Sequence, residues 1–449
     1  MTAPSSAEVE TFFDYLRFPS ISAQPAHAGD SRACAQWLTD LLASWGLSAT
    51  QHEIPGGPPV VVARTEFVAN ANRVLLYGHY DVQPVEPIEL WSTPPFEPAM
   101  RNGFLFARGA TDNKGQTFSH LIGLRRMLAE GPLPVNLTIF LEGEEEVGSP
   151  HLATFVREHR EALACDVALI SDTSMIEAGW PALTLGLRGI TCHEIVLHGP
   201  RADLHSGMFG GATPNPALAL ARILARLHDE TGRITIPGFY DDVLPVPEAE
   251  LASWRELPWT EDWFAQTTGA PATAGETEFS VLERVWARPT AEINGLTSGH
   301  QGNGSKTIIP STASAKLSFR LAPNQDPDRI AALVNAWFEA AFAAEGVTGE
   351  ATYDHGGLPF YTPPDNAFIQ AASRALAEVF GREPSLTREG LSIPVAALLQ
   401  RELGIPVVLA GLGLPDCNAH SPNESYPLAH LELGAHAFAA VMRHFAAVR

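Results

Sequence analysis

Short apolar runs at Val60–Ala63, Arg73–Tyr77, Asn136–Leu141 and Asp166–Ile170 alternate with helical patterns near residues 31–46, 115–130 and 150–162. Strands that alternate with helices predict an α/β layer, a sheet flanked by helices. In such sheets the reactive groups collect beyond the carboxyl ends of the strands. The polar clusters of this chain fall there.

The pattern changes from Leu187. GITCHEIVLHGP reads as a strand rich in β-branched residues, and Pro214–Glu230 as a helix with Leu218, Ile223, Leu224 and Leu227 on one face. A Trp- and Pro-rich loop stretch follows from about 237 to 304, then a strand at Ala313–Leu321 and a helix at Asp328–Ala343. This predicts a smaller α+β domain, residues 187–360, inserted into a first domain of residues 1–186 and 361–449.

At 449 residues and 45% hydrophobic composition the chain can bury two cores. Its formal net charge of −22 excludes a nucleic-acid backbone or an anionic membrane as partner, since both demand clustered Lys and Arg. No apolar run is long enough to span a bilayer. The opening residues read as part of the fold rather than a signal peptide: Ser5 with Glu8 forms a capping-box pattern, and Val9, Phe12, Phe13 and Leu16 follow helical spacing. Four scattered cysteines without CxxC spacing suit reduced thiols in a cytoplasmic protein.

The segment LEGEEEVGS delivers Glu142, Glu144, Glu145 and Glu146 directly after a buried strand. Adjacent carboxylates repel, so they must face water or share a cation. Elsewhere GHYDVQP places His79 and Asp81 two residues apart, on one side of an extended chain, where a carboxylate can orient an imidazole. Asp112 in RGATDNKG precedes a helix and could equally cap it. Asp172 in ISDTS and His420 in CNAHSPNE complete the set. Two histidines and several carboxylates at strand ends are the nitrogen and oxygen donors of a two-metal hydrolytic site.

Taken in order, GHYDVQP, RGATDNKG, LEGEEEVGS, ISDTS, LGLRGI, DLHSGMFGG, GSKTIIP, FRLAPN, TREGLSIPV and NAHSPNE resemble the M20 family of metallopeptidases, in particular its dipeptidase branch related to carnosinases, over residues 70–425. That resemblance implies a catalytic domain and an inserted lid and dimerisation domain. It implies two divalent ions, one held by His79 and Asp172, the other by Glu146 and His420, with Asp112 bridging; mixed histidine and carboxylate ligands suit zinc, with manganese or cobalt as alternatives. It further implies Asp81 behind His79, Glu145 as general base, His205 as oxyanion donor, and Arg320 and Ser392 as substrate contacts.

The implied activity is hydrolysis of dipeptides or short peptides with a free C-terminal carboxylate. An N-acyl amino acid amidohydrolase or a carboxypeptidase is the alternative within the same chemistry, and a non-catalytic binding protein the alternative outside it. A homodimer is implied, with His205 reaching the neighbour's metal site. Related dipeptidases read Gly-Gly-Ser-Ile-Pro where this chain has Gly390, Leu391, Ser392, Ile393 and Pro394, which bears on substrate size.

Overall fold

The structure, a computed structural model, describes residues 3–390 and 393–449; the expectations for Leu391 and Ser392 lie outside the described residues. The chain divides into two compact units, Met1–Leu185 with Thr362–Thr387 and Pro394–Arg449, and Gly186–Tyr361 with Arg388–Ile393. Arg388, which in the sequence reads as part of the first domain, is buried within the second unit. Its guanidinium donates to both carboxylate oxygens of Glu250 at 2.6 and 2.8 Å, and the Tyr361 hydroxyl donates to the same carboxylate at 2.7 Å.

The first unit is a mixed sheet flanked by helices. Its sheet includes the strands β1 (Ser48–His52), β2 (Val60–Arg64), β3 (Arg73–His79), β4 (Asn136–Glu142), β5 (Val167–Ile170), β6 (Ala182–Leu187) and β7 (Val407–Leu409). They lie in the order β1-β2-β4-β3-β5-β7-β6. The central β4, β3, β5 and β7 run parallel, while β2 meets β4 and β6 meets β7 antiparallel. Strands covered on both faces need no polar side, which is why these segments read as unbroken apolar runs.

Parallel register brings the strand ends level. His79 faces Glu142 across β3 and β4, and Tyr77 faces Ile170 across β3 and β5, so Asp172 leaves the sheet beside His79. The helix Lys114–Glu130 lies against β3 and the helix Leu428–Ala446 against that helix. Gly123 permits the second contact: a Cβ there would stand 2.6 Å from the Ala435 carbonyl oxygen. The N-terminal helix Ser6–Leu16 has the expected capping box, Glu8 N–H donating to Ser5 Oγ and Ser5 N–H to Glu8 Oε2.

In the second unit the antiparallel order is Thr290–Ser298, Thr312–Leu321, Gly189–His198, Thr348–Gly357. Alternate residues of the second strand, Ala313, Ala315, Leu317, Phe319 and Leu321, are buried, and the core they share includes Leu220 and Ile223 of the helix Pro216–Ala225 and Val334 and Phe338 of the helix Pro327–Glu345. Period-two alternation puts Ser318 and Arg320 on the opposite face. The stretch from 237 to 304, read from sequence as loop, holds the helices Glu248–Arg255, Glu261–Thr268 and Val281–Trp286 and an edge strand. Those helices have six to eight residues each, too few turns to display a periodic apolar face. Among the described residues no helix is long and apolar enough to cross a membrane. All four cysteines are free.

Candidate active site

Four segments leave the carboxyl ends of β3, β4, β5 and β7 and meet in the first unit. His79 ends β3 and is fully buried. Gly78 beside it has no room for a side chain, since a Cβ would stand 2.2 Å from Thr117 Oγ1. The chain after β4 turns through Glu144 into a short 3₁₀ turn, Glu145–Val147. Asp172 follows β5, and His420 sits on the long connection after β7 with a left-handed backbone, φ 60°. A β-carbon disfavours that conformation, so tertiary contacts must hold it.

Two donor groups result: His79, Asp112 and Asp172; and Asp112, Glu146 and His420, each with one ligand atom per residue within 4.8 Å of the others. Asp112 belongs to both. Its Oδ1 is 3.2 Å from His79 Nε2, and its Oδ2 is 2.9 Å from His420 Nε2. His79 Nε2 is also 3.7 Å from Asp172 Oδ1, and His420 Nε2 is 3.3 Å from Glu146 Oε2. The alternative of Asp112 as a helix cap is not what is seen: the helix Lys114–Glu130 has Asn113 at its N-cap and no side-chain capping bond.

The donors fit divalent cations. His79 Nε2 and Glu146 Oε1, one from each group, are buried and make no well-directed hydrogen bond to a described residue. Unpaired buried polar atoms are costly, and a cation ligated by both would satisfy them. Charge points the same way. Burial alone would lower the His79 pKa, but the carboxylates of Asp172, Asp112 and Asp81 drive it well above the ordinary imidazole range. Asp112 Oδ2 and Glu146 push His420 up to about 10. The acids outnumber the histidines, which suits hard, oxygen-accepting cations with imidazole in the set.

The acidic run divides by surroundings. Asp81 accepts the backbone N–H groups of Glu145 and Glu146 at 3.2 and 3.0 Å while its Oδ1 stands 3.2 Å from His79 Nδ1, so one carboxylate orients the imidazole and seats the turn. Glu142 accepts from Tyr77 and Ser149 and is pushed up to about 8, chiefly by burial. Glu144 takes both the backbone N–H and the ring of His151, at 2.9 Å each. Glu145 differs: no described residue hydrogen-bonds or ion-pairs with its carboxylate. Burial pushes it up to about 9, against the pull of His79 and with the push of Asp172, Glu142 and Asp81.

Three supporting residues were not singled out in the sequence. The Asn113 amide donates to Ser171 O at 2.6 Å and Asp172 Oδ1 at 2.8 Å, and its oxygen accepts from the His79 N–H at 3.4 Å. Gln83 donates to Glu146 Oε2 at 2.7 Å. Glu424, completely buried, accepts from Arg108 Nη1 and from the N–H groups of Gly109, Thr111 and Asp112, all at 2.8 or 2.9 Å. It ties the Asp112 loop to the segment that carries His420. Gln83 and Glu424 each lie four residues beyond a candidate ligand, the one sequence signal that pointed to them.

Replacing Glu424 by Gln strands the buried Arg108 guanidinium and removes an acceptor from the loop. We expect a loss of about 3–5 kcal/mol of stability, read as a lower melting temperature, with metal content falling alongside. Wild-type melting and metal content would show that this network does not hold Asp112.

His205 and Arg320 belong to the second unit. His205 ends a two-residue strand paired with Ile308–Ile309 and is exposed; its Nδ1 accepts the Gly207 N–H at 3.1 Å, which leaves the neutral ring's proton on Nε2. Arg320 is half-buried and has no acidic partner among the described residues.

A mixed sheet with a parallel centre and histidine and carboxylate donors at its strand ends defines a metal-dependent hydrolase of the α/β class. Residues 75–444 match the family described as peptidase family M20/M25/M40, and the chain belongs to that family as a metal-dependent peptidase. It is 32% identical over 395 residues to the Cys-Gly metallodipeptidase DUG1 of Saccharomyces cerevisiae, covering 86% of this chain and 82% of that one. It is 32% identical over 372 residues to the human Beta-Ala-His dipeptidase, covering 82% of this chain and 73% of that one. Its fold matches the crystal structure of an M20 family metallo-carboxypeptidase from Sulfolobus solfataricus with a TM-score of 0.82 and 31% identity, over 98% of this chain and 100% of that one.

Proposed function

We propose that the chain hydrolyses dipeptides and closely related short peptides that end in a free carboxylate, using two divalent cations. His79, Asp112 and Asp172 would hold one, and Asp112, Glu146 and His420 the other. The observation that carries this reading is Asp112, whose two carboxylate oxygens each stand beside a different histidine. The dipeptidase names of the yeast and human relatives support the substrate class. Imidazole among carboxylates suits zinc, with manganese or cobalt also compatible.

Bound there, the cations would polarise the scissile carbonyl and acidify a water nucleophile. The remaining steps fall to the chain. Glu145, which the positive charge of the cations would hold ionised against its burial and whose carboxylate is unpaired among the described residues, takes the proton of the attacking water and returns it to the leaving amine. Asp81 keeps His79 in one tautomer and fixes the Glu145 backbone. The outward Nε2–H of His205 donates to the oxyanion. Arg320 grips the terminal carboxylate with its planar fork. Free thiols throughout support a cytoplasmic setting.

The second unit would act as lid and dimerisation domain. Met208, Leu218 and Leu296 expose 74%, 51% and 60% of their surface, the last on the edge strand, apolar area that suits a twofold contact. We expect a homodimer in which His205 serves the partner's site. His205→Ala and Glu145→Ala dimers should each be nearly inactive, and refolding an equal mixture should restore roughly a quarter of wild-type activity by random pairing. Background activity in a verified heterodimer would rule out the shared site.

The Sulfolobus likeness favours one other reading, a carboxypeptidase acting on longer peptides. A panel of dipeptides, tripeptides and N-acyl amino acids separates the two, with an amide of the best substrate as control. The acid should be cut better than its amide by about 2–5 kcal/mol of transition-state binding, and Arg320→Ala should erase the difference. Equal cleavage of acid and amide would remove Arg320 from the site, and tripeptides cut in preference to dipeptides would make the second reading the correct one.

A further inference from the structure

The second unit contains a cavity of about 560 Å³ whose lining includes Arg188, Arg284, Arg288, Arg320, Glu276 and Glu292. The four arginines are not equivalent. Arg288 is chelated by Glu276 at 2.6 and 2.9 Å, and Arg284 donates to Glu261 at 2.8 Å and to two backbone carbonyls. Among the described residues Arg188 and Arg320 have no such partners. The Nε and Nη1 atoms of Arg188 are buried without a hydrogen bond, and neither guanidinium has an acid within ion-pair distance among the described residues.

Burial and the nearby charge of Arg320 pull the Arg188 pKa down to about 10, against the weaker opposing charge of Glu292, so the two cations feel one another. Glu276 is taken up by Arg288 and Arg233, and Glu292 reaches neither guanidinium at ion-pair distance, so two like charges in a half-buried cavity are left with donors open to an anion from outside. A terminal carboxylate on Arg320 neutralises one. The cavity is far larger than one carboxylate, and a second negative group would neutralise the other.

We propose that Arg188 makes the enzyme selective for dipeptides whose C-terminal residue is acidic, aspartate or glutamate, with Arg320 on the main-chain carboxylate and Arg188 on the side-chain carboxylate. This rests on the dipeptidase reading above and on Arg320 taking the substrate terminus. A guanidinium offers several donors in one plane, and a neutral amide of the same shape accepts with only one oxygen and brings no charge.

The test compares Ala-Glu with the isosteric Ala-Gln on the metal-loaded enzyme, in wild type, Arg188→Gln and Arg188→Lys. Wild type should favour Ala-Glu by at least about tenfold in kcat/KM, mostly through KM. Arg188→Gln should bring the ratio near one, and Arg188→Lys, which keeps the charge without the fork, should retain part of it. Ala-Gln cleaved as well as Ala-Glu by wild type would overturn the inference and leave the dipeptidase reading standing. A wild-type preference unchanged in Arg188→Gln would overturn the assignment to Arg188. Cleavage of neither would overturn both readings.

Discussion

Glu145→Gln keeps its metal ions and loses turnover by roughly 10²–10⁴-fold, the range of a missing general base. The substitution is nearly isosteric, and the Glu145 carboxylate makes no hydrogen bond or ion pair with a described residue, so nothing nearby is stranded. Its backbone N–H still donates to Asp81. The neighbouring Glu146→Gln behaves differently, because Glu146 belongs to a donor group with Asp112 and His420. That variant should lose metal together with activity. Metal analysis and steady-state rates on the same preparations check the contrast: equal metal loss in both variants, or near-normal turnover in Glu145→Gln, would mean the two roles are assigned wrongly.

Asp112→Asn should be more damaging than the loss of either histidine. Asp112 is the one residue common to both donor groups, and an amide presents one weakly donating oxygen where the carboxylate presents two. His79→Ala or His420→Ala removes a donor from one group only. Loss of the cations' contribution, worth several kcal/mol, corresponds to roughly a 10³-fold fall in rate or more. Activity of Asp112→Asn in excess zinc, set beside that of the two histidine variants, reads the difference. Rescue by excess metal in the histidine variants but not in Asp112→Asn is the expected pattern.

Much of this was legible in the sequence because the first unit is built from strands buried on both faces. Apolar runs marked β3, β4 and β5, and the residues just beyond them carried the chemistry. The bond between His420 and Asp112, by contrast, spans 308 residues. Nothing local says whether Asp112 caps a helix or faces that imidazole. The same holds for Glu424, an ordinary acid in a polar loop until the fold buries it against Arg108, and for Arg188, whose guanidinium finds no acid among the described residues only because of how the surrounding chain folds. The short helices between 237 and 304 were hidden for a different reason: their stability comes from caps such as Ser280 with Glu283 and from packing of Trp254 on Trp286, not from amphipathic repeats. Glu144 sits in the same acidic run without a role in the motif, and its carboxylate is engaged by His151.

Counting metal per chain tests the two-cation site joined by Asp112 most directly. Elemental analysis of protein purified with zinc, after removal of loosely bound ions, should give two ions per chain in wild type, one in His420→Ala, and a loss from both positions in Asp112→Asn. A single ion in fully active wild-type enzyme, or two ions retained by Asp112→Asn, would contradict it.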